Sequence, residues 1–261
     1  MEQRVSSLLN RLDSIATSLT RKEHALALIG LGSVGAELSR LDEHSDLDFF
    51  VIVEPDYKEH FIEDLGWLRE VAPIAFFFQN TRDGHKVLFT DGIYAEFGVF
   101  GPDELANIPA EAGRVVWQAD GFDAATLKMG TPAPAAPRPV EFLLGEILTN
   151  LYVGLTRLRR GERLSAQRFI QGYAVDSLLE LCALLQPGSA VLGDRFDRAR
   201  RFEQRFPETA SHLPEFLQGY DRSVESALAI LAFLEQRFAI NEAIKERILE
   251  AARAVETPRN H

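Results

Sequence analysis

The chain has 261 residues, 39 of them acidic and 28 basic, for a formal charge of −11 and a pI near 5.1. A length of this order suits about two domains, and 46% apolar residues with 18 Phe exclude a disordered chain. A single Cys excludes a disulfide framework and a Cys-built zinc site. The acidity argues against a nucleic-acid partner, whose phosphates are held by clustered Lys and Arg.

Residues 2–21 carry apolar side chains at Val5, Leu8, Leu9, Leu12, Ile15 and Leu19, a helical stripe. No apolar signal-peptide core opens the chain, and no run approaches the ~18 apolar residues of a membrane helix. A cytoplasmic protein without a membrane partner is expected. Continuous apolar runs at 25–31 (ALALIGL), 47–53 (LDFFVIV) and 73–78 (PIAFFF) predict buried strands, with a helix over 57–71 between the second and third. The triple Phe76–Phe78 reads as a strand buried on both faces. KVLFT (86–90) and IYAEFGVF (93–100) predict a hairpin about Asp91-Gly92, and RVVWQ (114–118) an edge strand.

Prolines at 132, 134, 137 and 139 mark a linker over 131–141. Beyond it, residues 141–160, 165–186, 195–206, 215–238 and 240–255 show helical spacing. The fold class expected is α+β, with a mixed-sheet domain over 1–130 and a helical bundle over 142–261. Cys182, in the apolar run SLLELCALL, is expected to be buried and inert. Trp67 and Trp117 are read as core or interface residues.

The stretch from Ala25 to Val53 fits two motifs. Gly30, Gly32 and Gly35 spell G-x-G-x-x-G after a strand, and Glu54 stands where a ribose-binding acid would fall. Against that dinucleotide reading, AELSRL is barely two helical turns, and the motif leaves Asp46 and Asp48 without work.

In the second fit, Gly32-Ser33 is followed after 12 residues by Asp46-Leu47-Asp48. Residues two apart in a strand share a face, so the two carboxylates project together. Mg²⁺ is commonly held by one or two carboxylates plus substrate phosphates. The Gly-Ser turn is expected to open a helix whose free N–H groups and dipole favour phosphate. Glu96, flanked by apolar and aromatic residues, supplies a third acid. If buried, it needs a partner such as a metal or a reacting hydroxyl.

These residues resemble the DNA polymerase beta-type nucleotidyltransferase superfamily, with its Gly-Ser turn, Asp-x-Asp/Glu pair and third acid. Further similarity, to lincosamide nucleotidyltransferase-like antibiotic-modifying enzymes, runs through SDLDFF (45–50), WLREVAPIAFFF (67–78), YAEFGVF (94–100) and NLYVGLTRLRRGE (150–162). The resemblance implies that Asp46, Asp48 and Glu96 are catalytic and bind Mg²⁺, Glu96 as ligand or as base, and that Gly32 and Ser33 hold the phosphates of ATP or another nucleoside triphosphate. It implies transfer of a nucleoside monophosphate, often AMP, to a hydroxyl of a small molecule, with release of pyrophosphate. A lincosamide or an aminoglycoside-like antibiotic is the acceptor class it suggests, which would make the chain an antibiotic-resistance transferase. It also leaves a homodimer open. Where relatives often carry Lys after the Gly-Ser, this chain has VGAEL.

Arg160, in the one cationic cluster RLRRGERLSAQR (157–168), is a candidate nucleotide contact; the alternative is a helix C-terminus complemented by basic residues. Two other functions stay open at this point: nucleotidylation of a protein partner, as in toxin–antitoxin pairs, and a catalytically silent nucleotide-binding protein.

Overall fold

The structure, a computed structural model, describes residues 2–108, 113–130, 137–189, 191, 193–194 and 197–256. Residues 131–136 of the expected linker and 195–196 of the expected helix 195–206 lie outside the described residues. The chain forms two compact units, Met1–Pro134 and Ala135–His261. The first is built on a mixed β-sheet and the second is helical, an α+β architecture.

In the first unit, helix α1 (Glu2–Leu19) buries Leu8, Leu12, Ile15 and Leu19, the stripe its periodicity predicts. Six strands follow: β1 (Ala25–Gly30), β2 (Leu47–Val53), β3 (Ile74–Thr81), β4 (Gly84–Phe89), β5 (Tyr94–Phe100) and β6 (Arg114–Gln118). Their order across the sheet is β3-β4-β5-β2-β1-β6. Only the central β2–β5 pair is parallel; β1 pairs with β2, β1 with β6, and β3 and β4 with their neighbours, all antiparallel. One face of the sheet packs under α1 in a core that includes Phe49, Phe97, Val87 and Trp67. The indole N–H of Trp67 donates to the carbonyl of Phe61 at 3.1 Å.

The strand pairing disposes of one disfavoured alternative, and two expectations need correction. The antiparallel β1–β2 pair removes the dinucleotide reading, because that motif requires a parallel β-α-β crossover. Glu54 instead meets Nδ1 of His24 at 2.8 Å. The helix expected over 57–71 is two short pieces, α2 (Lys58–Glu63) and α3 (Gly66–Arg69), broken where the Asp64 side chain accepts from the Gly66 N–H. Finally, β3 is an edge strand, and Phe76, Phe77 and Phe78 are 55%, 45% and 46% exposed rather than buried on both faces. A continuous apolar run records the side chains but not the strand's place in the sheet.

In the second unit, α4 (Val140–Arg159) packs against α6 (Val175–Leu185), α10 (Ser223–Glu235) and α11 (Glu242–Glu256). Short helices α7 (Phe202–Arg205), α8 (Pro207–Ala210) and α9 (Leu213–Phe216) connect α6 to α10. The helix expected over 165–186 is interrupted. After α5 (Arg163–Gln167), residues Arg168–Ala174 form a π-helix that leads into α6. Cys182 is a buried free thiol, and burial pushes its pKa up. No helix among the described residues is long and apolar enough to cross a membrane.

Candidate active site

The turn after β1 is built from close backbone approaches. A Cβ on Gly30 would lie 2.5 Å from the carbonyl oxygen of Val34, and one on Gly35 would lie 2.8 Å from the carbonyl carbon of Leu31. Gly32 adopts φ +51, in the left-handed region that side chains rarely enter. The Gly-Ser turn does not open an α-helix. Gly32–Val34 and Leu38–Arg40 are single 3₁₀ turns, too short to carry the macrodipole that the sequence suggests. What holds the turn to the sheet is a backbone bond from the Leu31 N–H to the Asp48 carbonyl at 2.8 Å, with Arg114 Nε donating to the Val34 carbonyl at 3.2 Å. A Cβ on Gly32 would stand 3.6 Å from Oδ2 of Asp48, so this turn and that carboxylate are neighbours.

The strand register assembles the rest. Asp48 on β2 is paired with Glu96 on β5, Glu96 with Lys86 on β4, and Lys86 with Phe78 on β3. Cross-strand partners point to the same face, so these four side chains form a row across four of the six strands, at about 4.8 Å per strand. Asp46 immediately precedes β2, two residues from Asp48. The Tyr94 phenol reports on all three acids: burial first, and then the charges of Glu96, Asp46 and Asp48, push its pKa up, with Lys86 opposing.

Glu96 is not the buried, needy acid that its flanking residues suggest. Its neighbours Ala95 and Phe97 are buried on the opposite face, while its own side chain is partly exposed. Asn80 Nδ2 donates to one carboxylate oxygen at 2.9 Å, and Lys86 Nζ lies 3.2 Å from the other. That contact with Glu96 is the chief reason the Lys86 pKa is raised.

Among the described residues, no three His, Cys, Asp or Glu side chains converge closely enough to hold a metal ion. The three acids thus share one electrostatic neighbourhood without forming a closed three-carboxylate cage. Asp46 and Asp48 remain a hard-oxygen pair next to the Gly-Ser turn. Such a pair fits Mg²⁺, which takes one or two carboxylates and completes its shell with waters and substrate phosphates.

Lys86 and Asn80, the partners of Glu96, belong to no motif in the sequence. A signal existed: Lys86 and Glu96 stand at equal distances on either side of Asp91 in the hairpin, and counting outward from that turn pairs them. The edge row continues in Phe76 and Phe78, whose rings lie 5.9 Å apart. On the opposite face His85 stacks on Phe97.

Arg160 lies in the second unit, exposed at the end of α4.

Comparison with protein-family models finds no match, and comparison with curated proteins finds none. Among solved structures, the chain is similar to an aminoglycoside 6-adenyltransferase from Bacillus subtilis at 14% identity and a TM-score of 0.36, covering 96% of this chain and 98% of that one. It is also similar to spectinomycin adenyltransferase AAD(9) from Enterococcus faecialis, with ATP and spectinomycin, at 13% identity and a TM-score of 0.30, covering 97% and 99%.

Proposed function

We propose that the chain is a Mg²⁺-dependent nucleotidyltransferase that moves a nucleoside monophosphate, AMP from ATP, to a hydroxyl of a small molecule and releases pyrophosphate. The observation that carries this reading is the pairing of Asp48 with Glu96 in the parallel β2–β5 ladder, beside a Gly-Ser turn that abuts the Asp48 carboxylate. Asp46 and Asp48 would hold Mg²⁺, which when bound neutralises charge on the triphosphate and its leaving pyrophosphate. The partly exposed turn at Gly32 and Ser33 then serves as the phosphate rest.

Glu96 accepts the proton of the acceptor hydroxyl as its oxygen attacks the α-phosphorus and the bond to the β-phosphate breaks. Asn80 and Lys86 act on Glu96 as positioning residues; each grips one carboxylate oxygen and fixes the direction of the other lone pairs. Phe76 and Phe78 extend the same face outward from Lys86, so an acceptor with an apolar surface as well as a hydroxyl suits it better than a wholly polar one.

The test is pyrophosphate release from ATP and Mg²⁺ against a panel of acceptors: a lincosamide, spectinomycin, an aminoglycoside and simple aromatic alcohols. Acceptor-dependent release that stops when Mg²⁺ is chelated supports the reading. No release with any acceptor or with co-purified protein, from an enzyme shown to be folded, overturns it.

A further inference from the structure

The second unit carries a groove of its own, about 490 Å³, lined by Arg163, Leu164, Arg168, Phe169, Tyr173 and Tyr220 among others. Three features set it apart from an ordinary gap between helices. Three of its lining residues, Arg168, Phe169 and Tyr173, come from the π-helix Arg168–Ala174, a rare conformation that recurs frequently at functional sites. Its rim is clamped. Buried Gln171, inside the π-helix, accepts from the Gly219 N–H at 2.9 Å and donates to the Gly219 carbonyl at 2.8 Å, which fixes the loop that presents Tyr220. Its walls combine exposed aromatic and cationic side chains, with Tyr173 and Tyr220 each 49% exposed.

The charge is equally particular. Residues 157–168 hold five Arg and one Glu in a chain of net charge −11. Arg163 lies over the Tyr220 ring, 5.1 Å from its centroid, and pairs with Asp221. Arg157 lies over Phe169 at 4.7 Å and meets Glu162 and Ser165 at 3.1 Å each. Arg168 is exposed on the groove. Flat rings call for a flat ring, and arginines offer forked donors to phosphate.

We infer that this groove binds a mononucleotide, its base stacked on Tyr173 and Tyr220 and its phosphate held by Arg168 and Arg163. The site stands on the second unit alone and needs neither the acids of the sheet nor a metal.

The experiment is a titration of the full-length protein with fluorescent N-methylanthraniloyl-AMP in EDTA, with unlabelled AMP, adenosine and inorganic phosphate as competitors. AMP competes best; adenosine and phosphate, each lacking half of the recognised chemistry, are at least about tenfold weaker. Tyr173→Ala and Arg168→Ala each weaken binding about tenfold, whereas Tyr173→Phe, which keeps the ring, binds as the wild type does. Both positions are exposed, and unchanged melting temperatures confirm that the variants fold. Asp48→Asn leaves this metal-free binding intact. The inference is overturned if AMP does not bind, if the groove variants bind it as the wild type does, or if Asp48→Asn abolishes it. In the last case the acids, not the groove, hold the nucleotide, and the transferase reading survives without the groove.

Discussion

The sheet face of the first unit and the groove of the second are built by opposite means. On the sheet, regularity assembles the candidate site: the two-residue period and the ladder register bring Asp48, Glu96, Lys86 and Phe78 into one row, and the register shifts of the β3–β4 pair fall on either side of Phe78. In the bundle, irregularity does the work, through a π-helix, a buried Gln171 clamp and a turn at Gly219 with φ +94. Chemistry placed by register is readable from spacing. Chemistry placed by a defect in a helix is not, because the apolar pattern over 165–186 runs on through the π segment.

The sharpest way to break this contrast is to remove charge from the sheet face alone. Asp46→Asn should lower nucleotidyl transfer by about a thousandfold or more, since it strips one of two expected anchors for the metal-bound phosphates. Metal-free AMP binding in the groove should be unchanged, and one preparation can be measured for both. If the two properties fall together, the acids of the sheet face hold the metal-free nucleotide as well.

A smaller effect probes the bundle. At Gly154 a Cβ would lie 2.5 Å from the Ile170 side chain, so α4 and the π-helix meet there without room for a methyl group. Gly154→Ala should destabilise the protein by about 1–3 kcal/mol, read as a drop of several degrees in melting temperature. It should also loosen AMP binding, because Ile170 lies in the π-helix between Phe169, which lines the groove, and Gln171, which clamps its rim. Unchanged melting would mean that α4 can shift to make room.

The hidden side of the sheet gives a gentler test. His85 is buried against Phe97, and burial depresses its pKa in the folded protein. The unfolded chain therefore takes up the proton first as pH falls below about 6.5. This group's share of stability is intact above that pH and is lost on acidification toward the folded pKa. Denaturant melts at pH 7.5 and 5.5 should differ less in His85→Gln than in the wild type. An equal difference in both would remove His85 from the account. The smallest effect expected is none at all: buried Cys182 should stay unmodified by a thiol reagent until the bundle unfolds.

Much of the fold was legible for plain reasons. The stripe of α1, the strands at 25–30 and 47–53, the hairpin about Asp91-Gly92 and the edge strand at 114–118 all follow from apolar period and turn chemistry. Strand order was not legible, since periodicity says nothing about which strands are neighbours. That gap left Phe76–Phe78 read as interior, and the antiparallel β1–β2 pair adds a topological reason against the dinucleotide motif to those in the sequence. Asp46, Asp48 and Glu96 stood out in the sequence as candidates, and the register pairs Asp48 with Glu96 while Asp46 lies just before β2. Their surroundings were harder to foresee. Glu96 looks buried when its apolar flanks are counted, yet those flanks face the other side, and its partners Lys86 and Asn80 come from strands that only the register identifies.

The central claim is that the Asp48–Glu96 face performs nucleotidyl transfer. Its most direct measurement is incorporation of label from α-phosphate-labelled ATP into an acceptor with Mg²⁺ present, wild type beside Asp48→Asn at matched folding. The wild type should transfer label, and the Asn variant, which keeps the shape and loses only the charge, should transfer almost none. Equal transfer by the two proteins would contradict the assignment of this face.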